Sequence, residues 1–224
     1  MAPETNTARR ILVRSRWLPR FLPQSFGRAM DFSLAVMALI ALAPLMLAVA
    51  AAVAAERQGP VLFAHRRIGL GGRHFSVLKF RSMRVDGDAV LSEHLMRNSA
   101  AAEEWARDHK LRDDPRVTPL GRFLRKSNLD ELPQLFNVLT GDMGIVGPRP
   151  IVQAEVPRYG ACFRAYCSVR PGITGLWQVS GRNDVSYRRR VLMDSLYARR
   201  KCVALDVKIM FATVPAVLAR KGSY

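Results

Sequence analysis

A run of 24 residues, Phe32–Ala55, carries no charge (FSLAVMALIALAPLMLAVAAAVAA) and constrains the fold more than any other feature. As a straight helix it would extend ~36 Å, enough for a hydrocarbon core of ~30 Å. It is too long, and begins too far behind a basic leader, to read as a cleaved signal peptide. Pro44 stands near its middle, where it removes a helix hydrogen bond, crowds the preceding turn and predicts a kink. Each half alone would reach ~17 Å, about half way through the hydrocarbon. Both flanks are basic. Arg9, Arg10, Arg14, Arg16, Arg20 and Arg28 precede the run against Glu4 and Asp31; Arg57, Arg66, Arg67, Arg73, Lys79, Arg81 and Arg84 follow it against Glu56. The positive-inside tendency places both flanks in the cytoplasm. Two readings stay open: a helix that dips in, bends at Pro44 and returns, and a plain spanning helix with a tolerated proline. A buried helix of a soluble protein fits less well.

Lys and Arg outnumber Asp and Glu 35 to 18, for a formal charge of +17. That excess favours an acidic partner, whether nucleic acid, an anionic membrane surface or phosphate-bearing substrates. Nearly half the residues are apolar, which excludes a disordered polycation. Three cysteines, Cys162, Cys167 and Cys202, have no C-x-x-C spacing and read as small, partly buried thiols rather than a disulfide framework or zinc site. His65, His74, His94 and His109 are dispersed and fall into no ligand spacing.

Beyond the apolar run, residues 60–83 predict two short strands around Gly69-Leu70-Gly71-Gly72. Residues 89–110 predict one helix with a polar face. Residues 158–183 look loop-rich, and two helices over about 187–201 and 205–220 close the chain. These last two mix apolar and basic faces, which suits either a membrane interface or a core with solvated charges. Tyr187, Leu192, Leu196 and Tyr197 are the candidate apolar contacts in both cases.

The chemistry-bearing stretch is KSNLDELPQLFNVLTGDMGIVGPRP. Asp130 and Glu131 stand side by side shortly after Arg122, Arg125 and Lys126. Asn128 followed by Glu131 matches a capping box, which would make both acids part of a first helical turn with Pro133 tolerated there. The same placement has a catalytic reading. A helix N-terminus suits phosphate groups, Arg125 neutralises their oxygens, and carboxylates hold a divalent metal bridging to them. An ionised carboxylate there can also attack phosphorus. Adjacent acids on a helix would approach a substrate from different sides. Lys79 and Arg81 alternate around Phe80, so on a strand both point to one face. Arg149, between Pro148 and Pro150, stands on a stiff extended segment. No Walker loop, GxGxxG or Ser-His-Asp arrangement is present.

These motifs resemble those of a known family. The Pro44-bearing segment, KFRSM (Lys79–Met83), LRKSNLDELPQLFNVLTGDMGIVGPRP (Leu124–Pro150), RPGITGLWQVSGRN (Arg170–Asn183) and the terminal KGSY resemble the bacterial sugar transferases, monotopic polyprenyl-phosphate phosphoglycosyl transferases. The resemblance covers roughly residues 27–224. It implies a re-entrant helix–break–helix in the cytoplasmic leaflet of the bacterial inner membrane. It implies Asp130 as the nucleophile on the β-phosphate of a UDP-sugar, with UMP leaving and polyprenyl phosphate then taking the phosphosugar. Mg2+ would be held by Asp130 and the diphosphate, and Glu131 would assist. Arg125 and Arg149 would bind phosphate groups, with Lys79 and Arg81 on a basic strand facing the site. Many members carry Ser-Pro at the membrane break where this chain has Ala43-Pro44, and alanine cannot satisfy a freed carbonyl. The RPGITGLWQVSGRN run is most similar to members that start exopolysaccharide or O-antigen synthesis with a hexose, hence a UDP-hexose donor such as UDP-glucose or UDP-galactose.

The expected architecture is therefore mixed α/β: a basic leader (1–27), a re-entrant broken membrane helix (28–56) and a small cytoplasmic catalytic domain (57–224) with interfacial amphipathic helices. Its partners would be the UDP-hexose, undecaprenyl or another polyprenyl phosphate, and membrane lipid, with room for a homo-oligomer. The alternative is a membrane-tethered basic protein that binds nucleic acid or anionic lipid without catalysis. No helix-turn-helix or aromatic-basic platform supports nucleic acid as a partner. Within catalysis, the nearest competitor is a phosphatase that works through the same aspartyl phosphate.

Overall fold

The computed structural model describes residues 24–108, 111, 113–181 and 185–218. The leader up to residue 23, His109, the end of the RPGITGLWQVSGRN run and the KGSY terminus lie outside the described residues. Helix α1 (Gln24–Ala55) opens the structure and runs through Pro44 as a single element. Gln24–Gly27, assigned to the leader from sequence, are its first turn. Among the described residues α1 is the one helix long and apolar enough to cross a membrane, with a mean hydropathy of 2.6 over its most apolar window. The protein leaves most of that stretch uncovered, including Met37, Ile40 and Leu47.

The described residues divide into two compact units. The first takes the chain up to Ala43, Ala64–Leu78, and residues from Pro133 onward; the second takes Pro44–Phe63 and Lys79–Leu132. Helix α1 and the hairpin after it contribute to both. The hairpin pairs β1 (Leu62–Ile68) with β2 (His74–Phe80) around the expected turn. Gly71 and Gly72 adopt φ of 66° and 76° there, backbone conformations that a Cβ disfavours.

In the second unit the helix expected over 89–110 is two helices, α2 (Gly87–Arg97) and α3 (Ser99–Asp108). Asn98 breaks it. Its backbone is extended, and its Oδ1 accepts the Ala101 N–H at 3.1 Å to start α3. Asparagine competes with the helix for backbone partners in this way. Helix α4 (Pro119–Ser127) follows.

The first unit holds α5 (Gln134–Thr140), β3 (Gly144–Val146), α6 (Val156–Tyr159), α7 (Phe163–Cys167), β4 (Gly172–Thr174), α8 (Tyr187–Arg200) and α9 (Val203–Leu218). Strands β3 and β4 are parallel, with Gly144 opposite Gly172 and Val146 opposite Thr174. Parallel strands need a crossover, and the segment that looked loop-rich supplies it through α6 and α7. Val146, Leu176, Tyr197, Leu205 and Ile209 form one core cluster. Each large aliphatic buried there contributes roughly 1.5–3 kcal/mol. Tyr197 is buried in α8 as expected, whereas Leu192 is 53% exposed.

The start of α1 is tied into this unit. Arg28 donates to the carbonyls of Val138 (2.6 Å) and Leu139 (3.0 Å), near the end of α5, where a cation meets the helix's free acceptors. Asp31 Oδ1 accepts the Ile145 N–H at 3.1 Å.

Candidate active site

The acid pair lies in the second unit, and α4 sets its position. Thr118 caps α4 with Oγ1, which accepts the Gly121 N–H at 2.8 Å, and Pro119 occupies the first turn. The helix ends at Asn128, which is left-handed (φ 57°) and donates its N–H to the Arg125 carbonyl at 3.1 Å. This corrects the capping-box expectation: Asn128 closes one helix and makes no side-chain cap for the next turn. Leu129–Glu131 form a single 3-10 turn after it, and Pro133 caps α5 instead of lying within its first turn.

Within that turn Asp130 is buried, 6% exposed. Glu131 does not reach back to a cap; its Oε1 accepts from Lys79 Nζ at 2.6 Å. The same ammonium stands 4.0 Å from Asp130 Oδ2. Both neighbouring acids thus meet one cation, although their spacing on a helix suggested opposite approaches. Burial raises the Asp130 pKa to about 6; Lys79 and Arg125 pull it down and Glu131 pushes it up. The carboxyl is ionised at neutral pH yet poorly solvated, which favours a reactive carboxylate.

Arg125 donates Nε to Ser82 Oγ at 2.9 Å and acts electrostatically on Asp130. Asp114 accepts four hydrogen bonds from Arg116, from the backbone N–H at 3.0 Å, Nε at 2.8 and 3.1 Å, and Nη2 at 2.6 Å. Arg81 does not share Lys79's target. It is 5% exposed, donates to the carbonyls of Val53 and Pro60 at 2.8 Å each, and lies 3.6 Å from Glu56. Those contacts fasten the end of α1. Arg149 belongs to the first unit and is exposed. The β3–β4 pairing continues to it, because Gly147 donates to Thr174 O (2.9 Å) and Gly172 to Pro148 O (2.9 Å). Its charge acts on Asp194 and Arg190.

The model of the bacterial sugar transferase family matches residues 22–220. The chain belongs to that family. It is 48% identical to the exopolysaccharide production protein ExoY of Sinorhizobium fredii, covering 95% of this chain and 98% of that one. It is 47% identical to the undecaprenyl-phosphate galactose phosphotransferase of Salmonella typhimurium over 92% of this chain and 42% of that protein. A UDP-glucose:undecaprenyl-phosphate glucose-1-phosphate transferase of Xanthomonas campestris is 43% identical over 87% of this chain and 39% of its own length.

For a bacterial sugar transferase the metal question concerns Asp130. Among the described residues no three His, Cys, Asp or Glu side chains gather into a cluster. Mg2+ needs none where substrate phosphates supply oxygens, since one or two carboxylates are its usual protein share. Asp130 fits that share; Glu131 is engaged by Lys79. Sequence reasoning missed Ser82, Thr118 and the Arg28–Asp31 tether. Thr118-Pro119 was a readable helix start, whereas nothing local in the sequence reveals that Ser82 meets Arg125.

Proposed function

We propose that the chain transfers a hexose-1-phosphate from a UDP-hexose to a polyprenyl phosphate through a phosphosugar carried on Asp130, at the cytoplasmic face of the inner membrane. The observation that carries this reading is the buried Asp130 carboxylate beside the Lys79 ammonium and the Arg125 guanidinium. Asp130 attacks the β-phosphorus of the donor. A carboxylate–phosphorus bond forms, the bond to the bridging oxygen breaks, and UMP leaves with that oxygen. Polyprenyl phosphate then attacks the same phosphorus, and Asp130 departs as free carboxylate. Lys79 orients Asp130 and Glu131, and Arg125 binds phosphate oxygens. Bound Mg2+, held by Asp130 and the diphosphate, would neutralise charge on the donor. The relatives' names, one for galactose and one for UDP-glucose, support a hexose donor and an undecaprenyl acceptor.

The membrane reading is the re-entrant one. Arg28 and Asp31 bond to backbone at Val138, Leu139 and Ile145, which lie downstream of α1. A spanning α1 would strand its start across the bilayer from those partners, and among the described residues no second helix is long and apolar enough to cross back.

Intact-protein mass spectrometry of the detergent-solubilised enzyme, with Mg2+ and a panel of UDP-sugars but no acceptor, tests the chemistry. The expected result is one hexose-phosphate adduct that polyprenyl phosphate discharges and that Asp130→Asn lacks. Undiminished lipid product from Asp130→Asn would leave direct transfer as the mechanism.

A further inference from the structure

Ser82 has two attachments that act on different parts of α4. Its main chain is packed against the first turn: the carbonyl accepts the Thr118 N–H at 3.2 Å, and a Cβ on Gly121 would lie 2.0 Å from that carbonyl oxygen. Only glycine permits this approach. Arg125 follows Gly121 by four residues, so it rises from the same face of α4, one turn later. There the Ser82 side chain meets it, Oγ accepting from Arg125 Nε at 2.9 Å. Among the described residues the protein offers Arg125 Nη1 and Nη2 no hydrogen-bond partner.

We propose that Ser82 is a positioning residue for the transfer reaction: its hydroxyl holds Arg125 by Nε and leaves the Nη1–Nη2 fork to a substrate phosphate. This rests on Arg125 binding phosphate. A guanidinium is a planar fork that gains from bidentate phosphate contact only when its plane is set, and a free arginine side chain carries much rotamer entropy. The serine hydroxyl is well suited to set it, because the buried main chain of Ser82 is fixed by α4 independently of the side chain. Ser82 itself touches no reacting atom.

The test is a double-mutant cycle in the full-length detergent-solubilised enzyme, reading kcat/KM for transfer from the UDP-hexose to polyprenyl phosphate. Ser82→Ala should lower kcat/KM about 10-fold or more, as loss of a hydrogen bond to a charged group does. In the Arg125→Lys background, where Nε is gone, the same change should cost less than about 3-fold. The pair Ser82→Thr and Ser82→Val compares equal shapes with and without the acceptor oxygen; Thr should stay near wild type and Val should fall with Ala. Melting temperatures of the three Ser82 variants should cluster with that of wild type, since the Thr118 and Gly121 contacts use only backbone. An equal loss in both backgrounds, or full activity of Ser82→Val, would overturn the inference while leaving Arg125 as a phosphate ligand. Wild-type kcat/KM in Arg125→Lys would instead overturn the phosphate reading of Arg125, and the inference with it.

Discussion

Asp130 and Asp194 are both buried carboxyls pushed toward the neutral form, and their surroundings separate their roles. Asp194 is 1% exposed; Tyr159 donates to its Oδ2 at 2.8 Å and its Oδ1 is buried without a hydrogen-bond partner among the described residues. Burial raises its pKa to about 8, against the pull of Tyr159, Arg149 and Arg190, so near neutrality it is mostly a packed, protonated acid. Asp130, at about 6, is the one charged at neutral pH. If it is the nucleophile, kcat/KM should fall below about pH 6 as one proton is bound. Lys79→Met removes the strongest influence lowering that pKa, so the acid limb should move to higher pH in a profile from about pH 5 to 8. An unmoved limb would assign the limb to another group. The same shift bears on stability. The folded pKa exceeds the ordinary 3.8, so the native state holds the extra proton between 3.8 and about 6, and stability declines as pH rises through that window. Asp130→Asn escapes the penalty. It should be more stable than wild type by ~1–3 kcal/mol near neutral pH, with the gap closing toward about pH 4, in denaturant titrations at both values.

At the scale of elements, α4 is the part whose placement decides the site, and its own sequence explains only half of it. Thr118→Ala removes a cap and should cost ~1 kcal/mol. Gly121→Ala forces a methyl onto the Ser82 carbonyl and should cost ~3 kcal/mol or more, with α4 displaced and transfer lost as well. Equal destabilisation of the two variants in denaturant titrations would contradict the close approach. The hairpin at Gly69–Gly72 and the closing pair of helices were legible, because turn glycines and apolar periodicity are local signals; the Thr118-Pro119 start of α4 is as local a signal but went unread. The break at Asn98 was not, since one asparagine in a helical pattern reveals its role only when its side chain caps the next turn. The Asn128 reversal escaped for a related reason: S/T/D/N before an acid signals a helix start, but a left-handed asparagine signals a helix end. Asp130, Glu131 and Lys79 were found as candidates from their motifs, and the structure brings them together. Their meeting at a single ammonium depends on residues far apart in sequence, as does the diversion of Arg81 to the end of α1.

At the scale of the whole molecule, the charge of +17 and the apolar surface of α1 suit a chain that associates with a membrane, and the two proposed topologies differ in which way the ends of α1 face. The polar contacts at the two ends of α1 bear on it. Arg28 and Asp31 hold the first part of α1 to backbone of residues 138–145, while Arg81 takes carbonyls at Val53 and Pro60. All these partners except the helix itself come after the apolar run. Breaking the Arg28 and Asp31 contacts to move the start of α1 across a bilayer would leave part-buried backbone groups at Val138, Leu139 and Ile145 without these partners, at about 1–3 kcal/mol each. A helix entering and leaving by one face, as proposed, would avoid that cost, and it requires a bend at Pro44 that α1, continuous from Gln24 to Ala55, does not itself record. Single cysteines at Ser25 and Gln58, in a background with Cys162, Cys167 and Cys202 replaced, discriminate the two topologies. In right-side-out and inverted membrane vesicles, an impermeant thiol reagent should reach both positions only from the cytoplasmic side. Labelling of Ser25→Cys solely from the opposite side to Gln58→Cys would make α1 a spanning helix, and the Arg28 and Asp31 contacts would then have to be absent in the membrane.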